Sequence, residues 1–463
     1  MKIRLGYFDK TCKQPLHYAG NAHGLICCPT RRGKFRDVLC QILLSWSGSL
    51  FILDPKGQAA CVTARYRRDV LGQDVKIVNP FNIWPKQLGD FDHAQYDPIG
   101  STLDPKSDTF AADADNLAEG WLPNNSRDPH WIFSARQLAS GIAMYLRQTG
   151  EQYSLSNVYS VICNPQIHEL CRDALAELGE DGEHIRQRLG RFADGEARDN
   201  KELKSIISSA ITGLAFVGNK PIARNMERST VDFSALKKKP TTVYVILPGK
   251  YMFSCASWMR TIVNAWADAC LQDAPGGTPV LGILQEFATS VGNLNSIDTL
   301  NVMGAGYGCQ IISEFQDLNQ LKNLKPNGWQ TYLANSGFQI YMATGKGDLF
   351  TSNHLSQMTG QVEVPNTSRT INGNDQPFQM PSGFLDSINR SIRGLTHGGT
   401  SVNIGSRQRP YLLPEECSEL DGDEMLVFAE GVKGVIRAGR KSYLDEPEFA
   451  GRFDEDPYHA KQH

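Results

Sequence analysis

The segment Cys28-Pro29-Thr30-Arg31-Arg32-Gly33-Lys34-Phe35 constrains this chain more than any other. It follows the short apolar run Gly24-Leu25-Ile26-Cys27 and precedes Val38, Leu39, Ile42, Leu43 and Leu44, apolar residues at helical spacing. Strand, loop, helix is the order in which a tight loop can aim its backbone N–H groups at phosphate oxygens, with the positive end of a helix behind them. Laid on the template G-x-x-x-x-G-K-[ST], the loop keeps Gly33 and Lys34, while Cys28 stands at the first glycine and Phe35 at the hydroxyl. The lysine serves the outer phosphates. The hydroxyl serves magnesium, to which a phenyl ring offers no oxygen. A cysteine held in a left-handed conformation costs about 1–2 kcal/mol, and a thiol at a helix N-terminus is expected to have a lowered pKa. Thr30, Arg31, Arg32, Gly33, Lys34 and Phe35 are therefore the candidate nucleotide-binding residues.

Strand-like runs recur, each ending on polar residues where open α/β sheets place their ligands. Leu50–Leu53 ends on Asp54-Pro55-Lys56-Gly57, Val75–Val78 on Asn79-Pro80, and Thr242–Leu247 on Pro248-Gly249. Val280–Leu284 ends on Gln285-Glu286, Cys309–Ser313 runs towards Gln316, and Phe338–Met342 follows. Strands alternating with helices imply a mostly parallel, doubly wound α/β sheet. Between Asn79 and Thr242 no strand is expected. There Trp131, Ala135, Leu138, Ala139, Ile142 and Leu146 form a helical stripe. The expected organisation is a discontinuous sheet domain, 1–124 and 236–463, interrupted by an all-α insertion at 125–235. The Ser-, Asn-, Gly- and Pro-rich stretch 364–403 reads as a long surface loop or a partly disordered segment, and the acidic tail, Asp445-Glu446-Pro447-Glu448 and Asp454-Glu455-Asp456, as hanging off the surface.

Composition narrows the classes. A chain of 463 residues with 41% apolar residues and a net charge of −3 has a sizeable core and no global attraction for nucleic acid. The basic clusters Arg65-Tyr66-Arg67-Arg68 and Lys237-Lys238-Lys239 read as solvated faces. Eleven cysteines without a CxxC pair suit a reducing compartment. No run approaches the ~20 apolar residues of a membrane span. No HExxH, Gly-x-Ser-x-Gly or zinc-like spacing supplies a competing chemistry.

The succession of motifs adds a family. Pro29–Lys34, Leu53-Asp54-Pro55-Lys56-Gly57, Asp128-Pro129-His130-Trp131, Gln285-Glu286-Phe287-Ala288, Gln316-Asp317-Leu318-Asn319 and Arg409-Pro410-Tyr411-Leu412-Leu413-Pro414 come in the order that resembles the TraG/VirD class of type IV secretion coupling proteins. The resemblance implies a hexameric, RecA-like P-loop NTPase fold that passes DNA or protein substrate to a secretion or conjugation apparatus. It implies ATP and Mg2+ as cofactors, impaired here, and other secretion-system components as partners. By resemblance Lys34 meets the outer phosphates, Glu286 polarises the attacking water and Gln316 senses the γ-phosphate. Asp54, Lys56 and Arg409 belong to its accessory motifs. Gln285 replaces the aspartate that would help hold magnesium, so no metal ligand is assigned. The class carries an N-terminal membrane-spanning region for which this chain has no room, which implies a cytoplasmic protein, peripheral to the inner membrane at most. Three readings stay open: a coupling component with weak or lost ATP hydrolysis, an active soluble hexameric motor, and a nucleic-acid-binding adaptor.

Overall fold

The computed structural model describes residues 1–459 apart from 124–128, 151–152, 179–181, 195–198, 273–276 and 372–399. One twelve-stranded sheet organises the chain. Its strands are β1 (Ile3–Tyr7), β2 (Pro15–Tyr18), β3 (His23–Cys27), β4 (Ser49–Leu53), β5 (Asp74–Val78) and β6 (Asp92–His93). After a long helical stretch follow β7 (Thr241–Val245), β8 (Val280–Leu284), β9 (Cys309–Phe315) and β10 (Ser336–Tyr341). A separate antiparallel hairpin, β11 (Gln361–Ile371) with β12 (Thr400–Pro410), precedes β13 (Glu424–Ala429) and β14 (Ile436–Gly439).

The strand order is β2-β1-β14-β13-β10-β3-β9-β8-β4-β7-β5-β6. From β10 to β6 every pairing is parallel, whereas β10–β13, β13–β14, β14–β1 and β1–β2 are antiparallel. β3, β4, β7, β8 and β9 are buried along their whole length, as strands covered on both faces must be. Their apolar residues divide by alternation between two core clusters, one on each face: Leu25, Phe51 and Leu284 in one, Ile26, Ile52 and Ile283 in the other.

Helices occupy most of the chain from Pro98 to Lys238. The stripe Ala135, Leu138, Ala139, Ile142 and Leu146 is the buried face of the helix Pro129–Thr149, with Trp131 partly exposed. That helix packs on Phe110–Trp121 and Lys201–Leu214. None of the described helices is long and apolar enough to cross a membrane.

Several expectations are corrected. β6 is a strand inside the region expected to hold none, brief because only Lys76 and Ile77 offer it partners. The loop expected at 364–403 is strand as far as Ile371 and again from Thr400, with the residues between outside the described set. The acidic tail is docked: the Asp454 N–H donates to the Val62 carbonyl (2.9 Å) and buried Asp456 accepts from Gln58 (2.8 Å). The basic clusters are not all solvated, since Arg67 and Lys237 are buried.

Candidate functional site

The C-terminal ends of β3, β8 and β9 lie side by side, and the loop 28–34 leaves β3 among them. Cys28 still continues the ladder between β3 and β9, its N–H donating to the Phe315 carbonyl (2.9 Å). The left-handed positions are Arg31 (φ +61°) and Gly33 (φ +84°), not Cys28, so the expected strain at the cysteine is absent. A Cβ at Gly33 would come within 2.6 Å of an Asp37 carboxylate oxygen, which explains why glycine stands there. Among the described residues, the N–H groups of Arg31, Arg32, Gly33 and Lys34 donate to no protein acceptor. They are available to an anion, as the loop's pattern requires.

Lys34 is the centre of the site. Its ammonium lies 3.1 Å from Glu286 Oε1 and also contacts the Glu314 carboxylate, while Gln316 Nε2 donates to Glu286 Oε2 (3.0 Å). Glu286 sits two residues past the end of β8 in a left-handed conformation (φ +51°), which turns its carboxylate towards the loop. The three residues singled out in the sequence are thus one constellation. Burial pushes the Glu286 carboxyl up, but the Lys34 charge and the Gln316 hydrogen bond outweigh it and hold the group below its ordinary range. In Glu314, wholly buried near the end of β9, burial wins and the pKa is raised despite Lys34. Burial lowers the Lys34 ammonium less than the two acids raise it, so it stays firmly charged.

The remaining candidates are arranged otherwise. Thr30, Arg31 and Arg32 are exposed on the loop. Phe35 is a correction: its ring is buried and meets Tyr443 edge-on (6.4 Å between centroids), so it fills the core rather than the mouth of the loop. The Cys28 thiol is another correction. Burial pushes it up to about 12, so it is an inert core group packed on Met342 and not an activated thiol. Gln285 accepts from Ser290 through its carbonyl (3.1 Å), and its side-chain Nε2 is buried without a partner. Asp54 is fully buried and accepts the Ala60 N–H (2.8 Å) at the start of helix Gln58–Arg65; burial raises its pKa to about 7. Lys56 is exposed, its ammonium 5.8 Å from the centre of the Tyr458 ring. Arg409 lies away from the constellation on β12, 3.9 Å from Glu416. Asp128 lies outside the described residues.

Two groups that build the site were not singled out in the sequence. Glu314 had a signal, a charge in the apolar run Ile311-Ile312-Ser313-Glu314-Phe315. Arg440 had none. From just beyond β14 its buried guanidinium bonds the Arg32 carbonyl and lies 3.5 Å from buried Asp37, tying the loop and its helix to the antiparallel end of the sheet. Among the described residues no cluster of three metal-ligating side chains occurs.

A family model described as type IV secretory system conjugative DNA transfer matches residues 4–462. The conjugal transfer protein TraG of Escherichia coli is 24% identical over 94% of this chain and 69% of its own length. The VirD4 protein of Rhizobium radiobacter is 24% identical over 93% of this chain, which spans 59% of that protein. Among solved structures, the bacterial conjugative coupling protein TrwBdeltaN70 in its unbound form superposes with a TM-score of 0.67 at 15% identity, covering 98% of this chain and 92% of that one. TrwB in complex with ADP and Mg2+ gives a TM-score of 0.64 at 15% identity, over 94% and 88%. These likenesses establish the RecA-like P-loop fold with its helical block.

Proposed function

This chain belongs to the type IV secretory system conjugative DNA transfer family, and on that premise we propose that it is a coupling-protein component of a secretion or conjugation system that binds nucleotide phosphates but hydrolyses ATP weakly or not at all. Its sheet domain is formed by 1–124 and 236–463 and carries residues 125–235 as an all-α insertion. It works as a hexamer or with related subunits on the cytoplasmic side of the membrane, handling DNA or protein substrate.

The observation that carries this reading is the split between phosphate groups and metal groups. On the phosphate side Lys34, the unpaired loop amides and Gly33 are in place and fit a polyphosphate. On the metal side the residues do not fit Mg2+. The hydroxyl position is a core ring, Phe35. Gln285 offers a neutral amide, and Glu286 is already shared between Lys34 and Gln316.

Within that limit the residues have definable roles. A phosphate entering the loop competes with Glu286 and Glu314 for the Lys34 ammonium. As Lys34 turns to the phosphate, Glu286 loses the charge that holds its pKa down, and burial moves it towards a better proton acceptor. Gln316 keeps that carboxylate oriented through its 3.0 Å hydrogen bond. The assembly can bind and position, while charge developing between the phosphates lacks its usual stabilisation.

Phosphate release from ATP tests the proposal. The native chain is expected to turn over slowly at best, and Gln285→Asp to gain rate. Cys28→Gly should add nothing, because Cys28 is unstrained. Vigorous native hydrolysis that Lys34→Ala abolishes would favour the active-motor reading instead.

A further inference from the structure

Glu314 is a carboxylate in the middle of the sheet. It lies near the end of β9, between β3 and β8, and is 1% exposed. One of its oxygens, Oε1, contacts the Lys34 ammonium. The other, Oε2, is buried without a hydrogen bond, the Glu286 N–H being near enough only to be felt. A permanent buried ion pair has both carboxylate oxygens satisfied, because one contact does not offset the loss of water around a charge. Glu314 depends instead on a single cation, and that cation stands on an open loop.

Lys34 cannot serve Glu314 and a phosphate alike. The phosphate brings more negative charge, and its other oxygens meet the loop amides, so Lys34 turns to it. The titratable groups that then face Glu314 are Glu286, from beyond β8, and Cys28, from the loop. Glu286 repels a second negative charge, and Cys28 is neutral because burial pushes its thiol up to about 12. Arg440, from beyond β14, is felt by Cys28. A wholly buried carboxyl whose cation has turned away is held in its neutral form through pH 7. We propose that Glu314 is the positioning residue of the loop: its carboxylate holds Lys34 before a phosphate arrives and takes up one proton from solvent when the phosphate displaces it. The proton joins Oε1, the oxygen that Lys34 leaves, from the side where Glu286 is 24% exposed, and Lys34 keeps its own. Glu286, bonded to Gln316, stays ionised. Of the two acids the buried one carries the proton and the half-buried one remains free to accept another. Phosphate binding and proton uptake are one event.

The inference rests on the loop reading, because Lys34 must be the phosphate's partner. Calorimetry of ATP into the full chain without Mg2+, in two buffers of different ionisation heat at pH 7 and pH 8, counts the protons that accompany binding. The native chain is expected to take up more protons than Glu314→Gln, the difference approaching one per ATP. At pH 8 Glu314→Gln should bind about tenfold more tightly than the native chain, and the gap should shrink as pH falls. Equal uptake by the two proteins overturns the proposal. So does a constant affinity ratio, which is all that a merely structural Glu314 would give. Uptake lost in Glu286→Gln but kept in Glu314→Gln overturns it as well, by moving the proton to Glu286. Should Glu314→Gln fail to fold, the native chain and Glu286→Gln decide: uptake that survives in Glu286→Gln supports Glu314, and uptake absent from it overturns the proposal. A native chain that binds no ATP removes the loop reading and this inference together, whereas binding without Glu314-dependent uptake removes the inference alone.

Discussion

Lys34 and Arg67 are both cations withdrawn from water on the same sheet domain, yet their surroundings are opposite in kind. Arg67 donates to the carbonyls of Leu43 (2.7 Å), Trp46 (2.8 Å) and Gly48 (2.9 Å) and to Thr242 Oγ1 (2.7 Å). Every partner is neutral and fixed, so the guanidinium knits the first helix of the sheet domain to β4 and β7. Lys34 is surrounded by two carboxylates at the rim of an open loop. Carboxylates are partners that an incoming phosphate can replace with charge of the same sign, whereas carbonyls are not. A buried cation with neutral partners is architecture; one with anionic partners at a strand end is an exchangeable site.

The largest effect expected from this contrast is on stability. Arg67→Leu strands the buried carbonyls of Leu43 and Trp46, while Gly48 keeps its bond from Gln73 Nε2 (3.2 Å), and should cost about 3 kcal/mol or more in urea unfolding, with no effect specific to nucleotide. A stable Arg67→Leu protein would break the comparison. Lys34→Ala should do the reverse, lowering ATP affinity about 10- to 100-fold while the fold survives. Asp54 sharpens the contrast from the anionic side, since no cation among the described residues pairs with it. Its pKa, about 7, lies above the ordinary ~3.9, so its contribution to stability is full below about pH 4 and is lost as pH rises through 7. Asp54→Asn should therefore be more stable than the native chain at pH 8, by a gap that narrows by about 1.4 kcal/mol per pH unit below 7 and closes near pH 4 in thermal melts. The smallest effect is expected at Arg440, which holds the loop from behind. Arg440→Met should weaken phosphate binding about threefold through a looser Arg32 carbonyl, visible by titration.

What the sequence disclosed follows from physical range. The parallel strands β3, β4 and β8 were legible almost to the residue, because strands buried on both faces are continuous apolar runs. β1, β2, β13 and β14 were not singled out. They form the antiparallel end, which is assembled from the two ends of the chain, and nothing in Ile3–Tyr7 announces a partner at Gly439. Lys34, Glu286 and Gln316 were legible because each stands in the loop or just beyond a strand end. Burial was harder to see. Cys28 was assigned a helix-end environment, Phe35 a place in the loop, and Arg67 and Lys237 a solvated face. Each error came from reading a short motif without the elements that cover it, such as Tyr443 over Phe35 and Met342 against Cys28.

The central claim is that phosphate binding has outlived metal binding, and calorimetric titration of ATP into the native chain and Lys34→Ala tests it most directly, each with Mg2+ and with a chelator in its place. The account predicts binding that requires Lys34 and changes little when Mg2+ is withdrawn. Binding that appears only with Mg2+ would contradict it, because the protein would then be holding a metal that Phe35 and Gln285 leave without ligands. Equal binding by Lys34→Ala would contradict it from the other side, by removing the loop as the phosphate site.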